Sequence, residues 1–112
     1  MLFESIVQYL LADNPFLNKG FSIDELATKV GSNRTYVSNV INAESEQNFN
    51  QFVNAYRVKE AIRLLGDEEK QHLTIEGIAK EVGFSSKSSF NPAFKKFTGL
   101  TPSQYLKQKL NV

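Results

Sequence analysis

The chain has 112 residues, of which 41% are hydrophobic and nine are Phe, enough to bury one adequate core. It contains no Cys and one His, which excludes a disulfide framework, a thiolate metal site and a Cys/His nucleophilic centre. Thirteen basic against twelve acidic side chains leave a formal net charge of +1, which argues mildly against a polyanionic partner.

In chain order, Leu2, Phe3, Ile6, Val7, Leu10 and Leu11 form a helical stripe interrupted by polar residues and preceded by no basic leader. This predicts a packed first helix near 2–12, neither signal peptide nor membrane span, in a cytoplasmic chain. Ser22 is an N-cap for a helix near 23–30, and Glu25 three residues later completes the pattern of a reciprocal capping box. Leu26, Ala27 and Val30 recur on one side of it, with the small Ala where another helix can cross closely, and Gly31 stops it.

A third helix lies near 34–42. With Val37 set at 0°, Val40 and Ile41 fall inward, and Thr35, Ser38, Asn39 and Asn42 lie at about 100° to 200°, facing out. The fourth helix, near 49–65, changes its apolar side partway along. Phe49, Phe52, Val53 and Tyr56 cluster near one direction, and Val58, Ala61, Ile62, Leu64 and Leu65 centre about 150° away. One half is expected to pack on the helices before it in the chain, and the other half on the helices after it.

Asp67-Glu68-Glu69-Lys70 reads as a solvated connection and His72 as a solvated loop residue. Thr74 opens a fifth helix near 75–82, stopped by Gly83. In the sixth, near 87–97, Phe90, Ala93, Phe94 and Phe97 face inward, and Ser88, Asn91, Pro92 and Lys95 face out. Thr101-Pro102-Ser103-Gln104 combines N-cap, Pro at N1 and a capping-box Gln, and so begins a last helix near 102–109 after the stop at Gly99. The expected fold is all-α, with seven helices and no sheet.

Two parts of this series are copies. Ser22, Ile23, Leu26, Ala27, Val30 and Gly31 recur 52 positions later as Thr74, Ile75, Ile78, Ala79, Val82 and Gly83. After one extra residue near Phe84 the match resumes at 53, pairing Val37, Val40 and Ile41 with Phe90, Ala93 and Phe94. Each copy has the spacing of a helix-turn-helix, and two copies are too few for a solenoid. The expected organisation is a first unit over 1–48, a connecting helix over 49–66 and a second unit over 67–112.

The second helix of each copy exposes short polar side chains in place of the Glu/Lys mixture of an ordinary solvated helix. Ser, Thr and Asn are poor helix formers, so their accumulation calls for a reason. Asn33, Ser85 and Ser86 are explained equally well by capping. Thr35, Ser38, Asn39 and Asn91 lie beyond the cap and suit base-edge or phosphate contact. The connecting helix spans roughly 25 Å at 1.5 Å per residue, comparable with the ~34 Å between successive major-groove faces.

On these residues the chain resembles the DNA-binding domain of the AraC/XylS family of bacterial transcription regulators. The likeness runs through Ser22 to Asn42, through Ala55-Tyr56-Arg57, Ala61 and Leu64-Leu65, and from Ile78 to Phe84-Ser85-Ser86. It continues through Phe90 and through Phe94-Lys95-Lys96-Phe97-Thr98-Gly99-Leu100-Thr101-Pro102-Ser103-Gln104-Tyr105, covering about 90 of the 112 residues. The resemblance implies seven helices, with the third and sixth inserted in adjacent major-groove segments of double-stranded DNA. It implies base contacts at Thr35, Ser38 and Asn39 in the first unit, and at Lys87, Ser88, Ser89, Asn91 and Pro92 in the second.

Phosphate contacts are expected from Asn33, Arg34, Asn42, Ser85, Ser86, Lys95 and Lys96; Arg57 is either another or a structural ion-pair partner. By the same resemblance, RNA polymerase is a partner and a sensor or dimerisation region lies N-terminal to this segment; no cofactor, metal or membrane contact is implied. Where many members of the family have Arg, this chain has Asn39 and Pro92. Asn can pair bidentately with adenine, but Pro offers only apolar contact. Pro92 either bends the sixth helix or begins it with Asn91 as cap.

Charge is unevenly spread: residues 1–56 carry three basic and six acidic side chains, net −3, and 57–112 carry ten and six, net +4. The second unit is thus the stronger source of phosphate attraction. Nothing in the sequence supports catalysis. The rival reading is a helical protein-interaction module that kept the architecture and lost DNA binding.

Overall fold

The structure, a computed structural model, describes residues 1–70 and 72–110, with Leu110 described by its backbone alone. Among these residues are seven α-helices and no strand: α1 Leu2–Asp13, α2 Ile23–Lys29, α3 Arg34–Ser45, α4 Phe49–Leu65, α5 Ile75–Glu81, α6 Lys87–Thr98 and α7 Pro102–Leu110. Two 3-10 turns, Pro15–Leu17 and Glu68–Lys70, lie in the connections.

Side-chain capping sets the starts of α2, α3, α4, α5 and α7. Ser22 Oγ accepts the Glu25 N–H at 3.1 Å, so the hydroxyl half of the expected box forms. Thr74 Oγ1 does the same for Gly77 at 2.9 Å. Complete reciprocal boxes begin α4, between Asn48 and Gln51, and α7, between Thr101 and Gln104.

The stops at Gly31 and Gly83 are equivalent in the two copies. Both glycines have positive φ, at 70° and 103°. In both, the next N–H returns to the carbonyl of the buried Ala: Ser32 to Ala27 at 2.8 Å and Phe84 to Ala79 at 2.9 Å. The duplication therefore extends to the backbone of the turn. The extra residue of the second copy lies between Gly83 and the α6 N-cap, Ser86. α3 runs to Ser45, past the expected end near 42, because no breaker comes after Asn42 and the chain turns only at Glu46, which adopts φ 58°.

Apolar side chains gather in two clusters, and α4 serves both. Phe52 and Val53 join Ile6, Leu10, Leu26, Val37 and Ile41, with Phe49 and Tyr56 packed at the edge. Val58, Ala61, Leu64 and Leu65 join Ile78, Ala79, Val82, Phe84, Phe90 and Phe94. The change of side read from the sequence is thus the point where one helix passes from the first core to the second. The second core is held by a run of rings, Phe84 to Phe90 to Phe94 to Tyr105, with centroids 5.1, 5.5 and 5.5 Å apart.

Arg57 sits at the crossover and corrects an expectation. In place of an ion pair, its donors go to neutral oxygens within the molecule. Nε donates to Phe16 O at 2.6 Å, Nη2 to Asn18 O at 3.1 Å and Nη1 to Asn54 Oδ1 at 3.1 Å. Burial pushes the guanidinium down from its ordinary pKa. The molecule is elongated, 45 × 24 × 23 Å.

Candidate nucleic-acid interface

On α3, Thr35, Asn39 and Asn42 are exposed and Ser38 is half-buried, while Val37 and Ile41 are fully buried on the opposite side. The Asn42 amide donates to Ser38 O at 3.0 Å, which holds its side chain along the helix. Asn33 caps the helix, its Oδ1 accepting the Tyr36 N–H at 2.9 Å. Arg34 reaches back to α2, where Nε and Nη2 donate to the two Asp24 oxygens at 3.0 and 2.6 Å. Hydrogen bonding from Arg34 holds the Asp24 carboxyl below its ordinary range. Both side chains are 65% exposed, so an arriving phosphate can compete for the guanidinium.

Tyr36, not singled out by the sequence pattern, is 63% exposed on the first turn of α3. Its wheel position, about 100° before Val37, lies between the buried and polar faces, and only the rarity of so open a ring points to it.

On α6, Lys87, Ser88, Ser89, Pro92, Lys95 and Lys96 are exposed. Asn91 is half-buried, with its Oδ1 sealed from solvent and unbonded, which leaves the amide NH2 as its available end. Ser85 is exposed just ahead of the helix. Ser86 is the N-cap but its hydroxyl makes no capping bond; it lies 3.4 Å from Ser89 Oγ, and Ser89 Oγ donates to Ser86 O at 3.1 Å.

The helix is continuous through Pro92, so the alternative in which Asn91 caps a helix starting there does not hold. A proline has no N–H to give the carbonyl four residues back, which here is that of Ser88.

Phe97 departs from its inward expectation: it is 46% exposed. It lines a groove of about 360 Å³ between α4 and α6, together with Gln47, Gln51, Asn54, Ala55, Ser89, Pro92, Ala93 and Lys96. The stripe points Phe97 toward α4, but the facing residues are amides and an alanine, too small or too polar to cover a ring. Among the described residues, no group of three or more His, Asp or Glu is placed to hold a metal ion, and no helix is long and apolar enough to cross a membrane.

This geometry has close counterparts in known proteins. A family model described as a helix-turn-helix domain matches residues 26–108. The chain is 30% identical over 90 residues to the melibiose operon regulatory protein of Escherichia coli K12, an alignment covering 80% of this chain and 29% of that protein. Its fold matches the C-terminal domain of AraT, a response regulator from Geobacillus stearothermophilus, with a TM-score of 0.76 and 26% identity, covering 96% of this chain and 84% of the other. It also matches the DNA-binding domain of AdpA, a global transcriptional factor solved in complex with a target DNA. There the TM-score is 0.75 at 20% identity, with 96% and 90% covered, a likeness of fold. The chain spans less than a third of the length of the curated relatives it matches.

Proposed function

The chain belongs to the AraC/XylS-type helix-turn-helix family of transcription regulators, and from that premise we propose that it reads a specific double-stranded DNA site with α3 and α6 in adjacent major-groove segments. The observation that carries this reading is the pair of exposed, short-chain polar faces on two equivalent helices, each backed by its own core and joined by one continuous helix.

In the first unit, Thr35, Ser38 and Asn39 meet base edges, with Asn39 suited to the N6/N7 pair of adenine. Asn42 and Arg34 flank them on phosphates. In the second unit, Lys87, Ser88 and Ser89 meet base edges, and Asn91 offers its NH2 alone. Pro92 adds apolar contact, as to a thymine methyl. Lys95 and Lys96 neutralise phosphates, and backbone N–H groups at the starts of α3 and α6, beside Asn33, Ser85 and Ser86, hold others without formal charge.

In the whole protein we place a sensor or dimerisation region N-terminal to this segment, and RNA polymerase as a second partner. The test is selection of duplexes from a randomised pool, with gel-shift titration of the selected duplexes at two salt concentrations. The expected result is a preferred sequence whose log affinity falls linearly with log salt. An interaction module that had lost DNA binding would select no sequence at either salt.

A further inference from the structure

We infer that Arg57 and Gly83 form a latch that fixes the orientation of the second unit against the first, and thereby sets which separation of two DNA segments both recognition helices can engage. The DNA consequence rests on the proposed function; the latch itself rests on the geometry.

A single helix joining two bodies fixes their distance well and their relative rotation poorly, because bending or twisting the rod moves the far body. A second point of contact away from the rod axis removes that freedom. Arg57 supplies one. From the middle of α4 its guanidinium donates to Phe16 O and Asn18 O, on the 3-10 turn and loop of the first unit, while its carbon lies 5.8 Å from the centroid of the Phe84 ring in the second unit's core. Leu17, on the same turn, packs against both cores.

Gly83 supplies the other side. A Cβ there would lie 2.4 Å from Phe16 O, 2.7 Å from Arg57 Nε and 3.1 Å from Leu17 O. The turn between α5 and α6 therefore backs directly onto the carbonyl that Arg57 holds. The equivalent glycine of the first copy is a built-in control. Gly31 has the same positive φ, but its Cβ would meet nothing within 4 Å. Gly31 is required by the turn alone; Gly83 is required by the turn and by the neighbouring unit.

The chain has no native Cys, so Lys29→Cys and Glu81→Cys, at exposed positions on α2 and α5, can carry a pair of spin labels for pulsed distance measurement in the free protein. The expected parent result is one narrow distribution. Gly31→Ala, which strains its turn without touching the latch, should keep it narrow. Arg57→Ala and Gly83→Ala should broaden it about twofold or more, and Arg57→Lys, which keeps the charge but lacks the planar fork whose Nε and Nη2 meet the two carbonyls separately, should fall between.

A second arm uses a duplex selected by the parent, with one or two base pairs inserted between its two read segments. The parent should lose about tenfold or more in affinity, and Arg57→Ala less than about threefold from a lower starting value, because a looser pair of heads is less sensitive to spacing. Distributions as narrow in Arg57→Ala and Gly83→Ala as in Gly31→Ala would overturn the latch. Broadened distributions in a chain that selects no duplex would leave the latch standing and overturn the DNA reading.

Discussion

The two recognition helices occupy the same place in the same repeated unit, yet they are built from different chemistry. α3 has a formed cap at Asn33, aliphatic anchors at Val37 and Ile41, and a face of Thr, Ser and Asn in a half of the chain with net charge −3. α6 has an N-cap whose hydroxyl does not cap, phenylalanine anchors at Phe90 and Phe94, a proline in its middle and two lysines near its end, in a half with net charge +4. The difference teaches that duplication preserved the frame while the exposed faces diverged in chemistry. On the proposed reading, α3 carries directed hydrogen bonding with little general attraction, and α6 carries general attraction with weaker direction.

That division can be broken at the frame or sharpened at the faces. The largest effects are expected in the cores. Phe52→Ala should cost about 3–5 kcal/mol and loosen the first unit, and Leu64→Ala about 2–5 kcal/mol and loosen the second. Both side chains come from α4 but lie in different cores. Urea denaturation with residue-resolved NMR checks this; if each variant melted both units alike, the two cores would be one cooperative body.

Comparable in size is Lys59→Pro, which interrupts the rod between those anchors. The full-site advantage over a half site should fall by about 10²–10⁴-fold, read as the ratio of the two dissociation constants.

At the faces, Asn39→Ala should cost about 1–3 kcal/mol on the preferred duplex and relax selection at one base position. Repeating the duplex selection with the variant shows whether that position becomes degenerate. Lys96→Ala should weaken specific and random duplexes alike and reduce the slope of log affinity against log salt by about 0.9. Equal behaviour of the two variants on specific and random DNA would erase the division of roles.

Smallest are the caps. Asn33→Ala should cost about 1 kcal/mol in thermal or urea unfolding, while Ser86→Ala, which removes no backbone capping bond, should cost only a few tenths of that.

What the sequence disclosed and what it hid divide along local and long-range physics. Helix existence, the two-faced α4 and the glycine stops are local properties of periodicity and backbone conformation, and the observed helices begin where Ser22, Thr74 and Thr101 indicated. The Asn48–Gln51 box is equally local, and its Asn-x-x-Gln signal is present in the sequence, though weaker to the eye than a Ser or Thr cap.

Phe97 marks the limit of a helical wheel. The wheel says which way a side chain points but not whether anything large enough stands opposite, and here the opposite wall is Gln51, Asn54 and Ala55. Arg57 escapes for a related reason: its acceptor, Phe16 O, is 41 residues away, and no spacing rule reveals a bond to a backbone carbonyl so distant. Of the interface, the exposed face of α3 was legible as a helical surface. The burial of the Asn91 oxygen depends on tertiary packing and was not.

The elongated shape has a consequence for symmetry. Many helix-turn-helix proteins bind as twofold dimers, and their sites are palindromes because identical heads read opposite strands. Here two unlike heads lie along one 45 Å chain, longer than the ~34 Å of one DNA turn. A single copy has no twofold axis to impress on its site. On the proposed reading, the site is non-palindromic and has a direction, with the lysine-bearing head always at the same end. Inverting such a site in a promoter exchanges the surfaces presented upstream and downstream without changing a single contact to DNA.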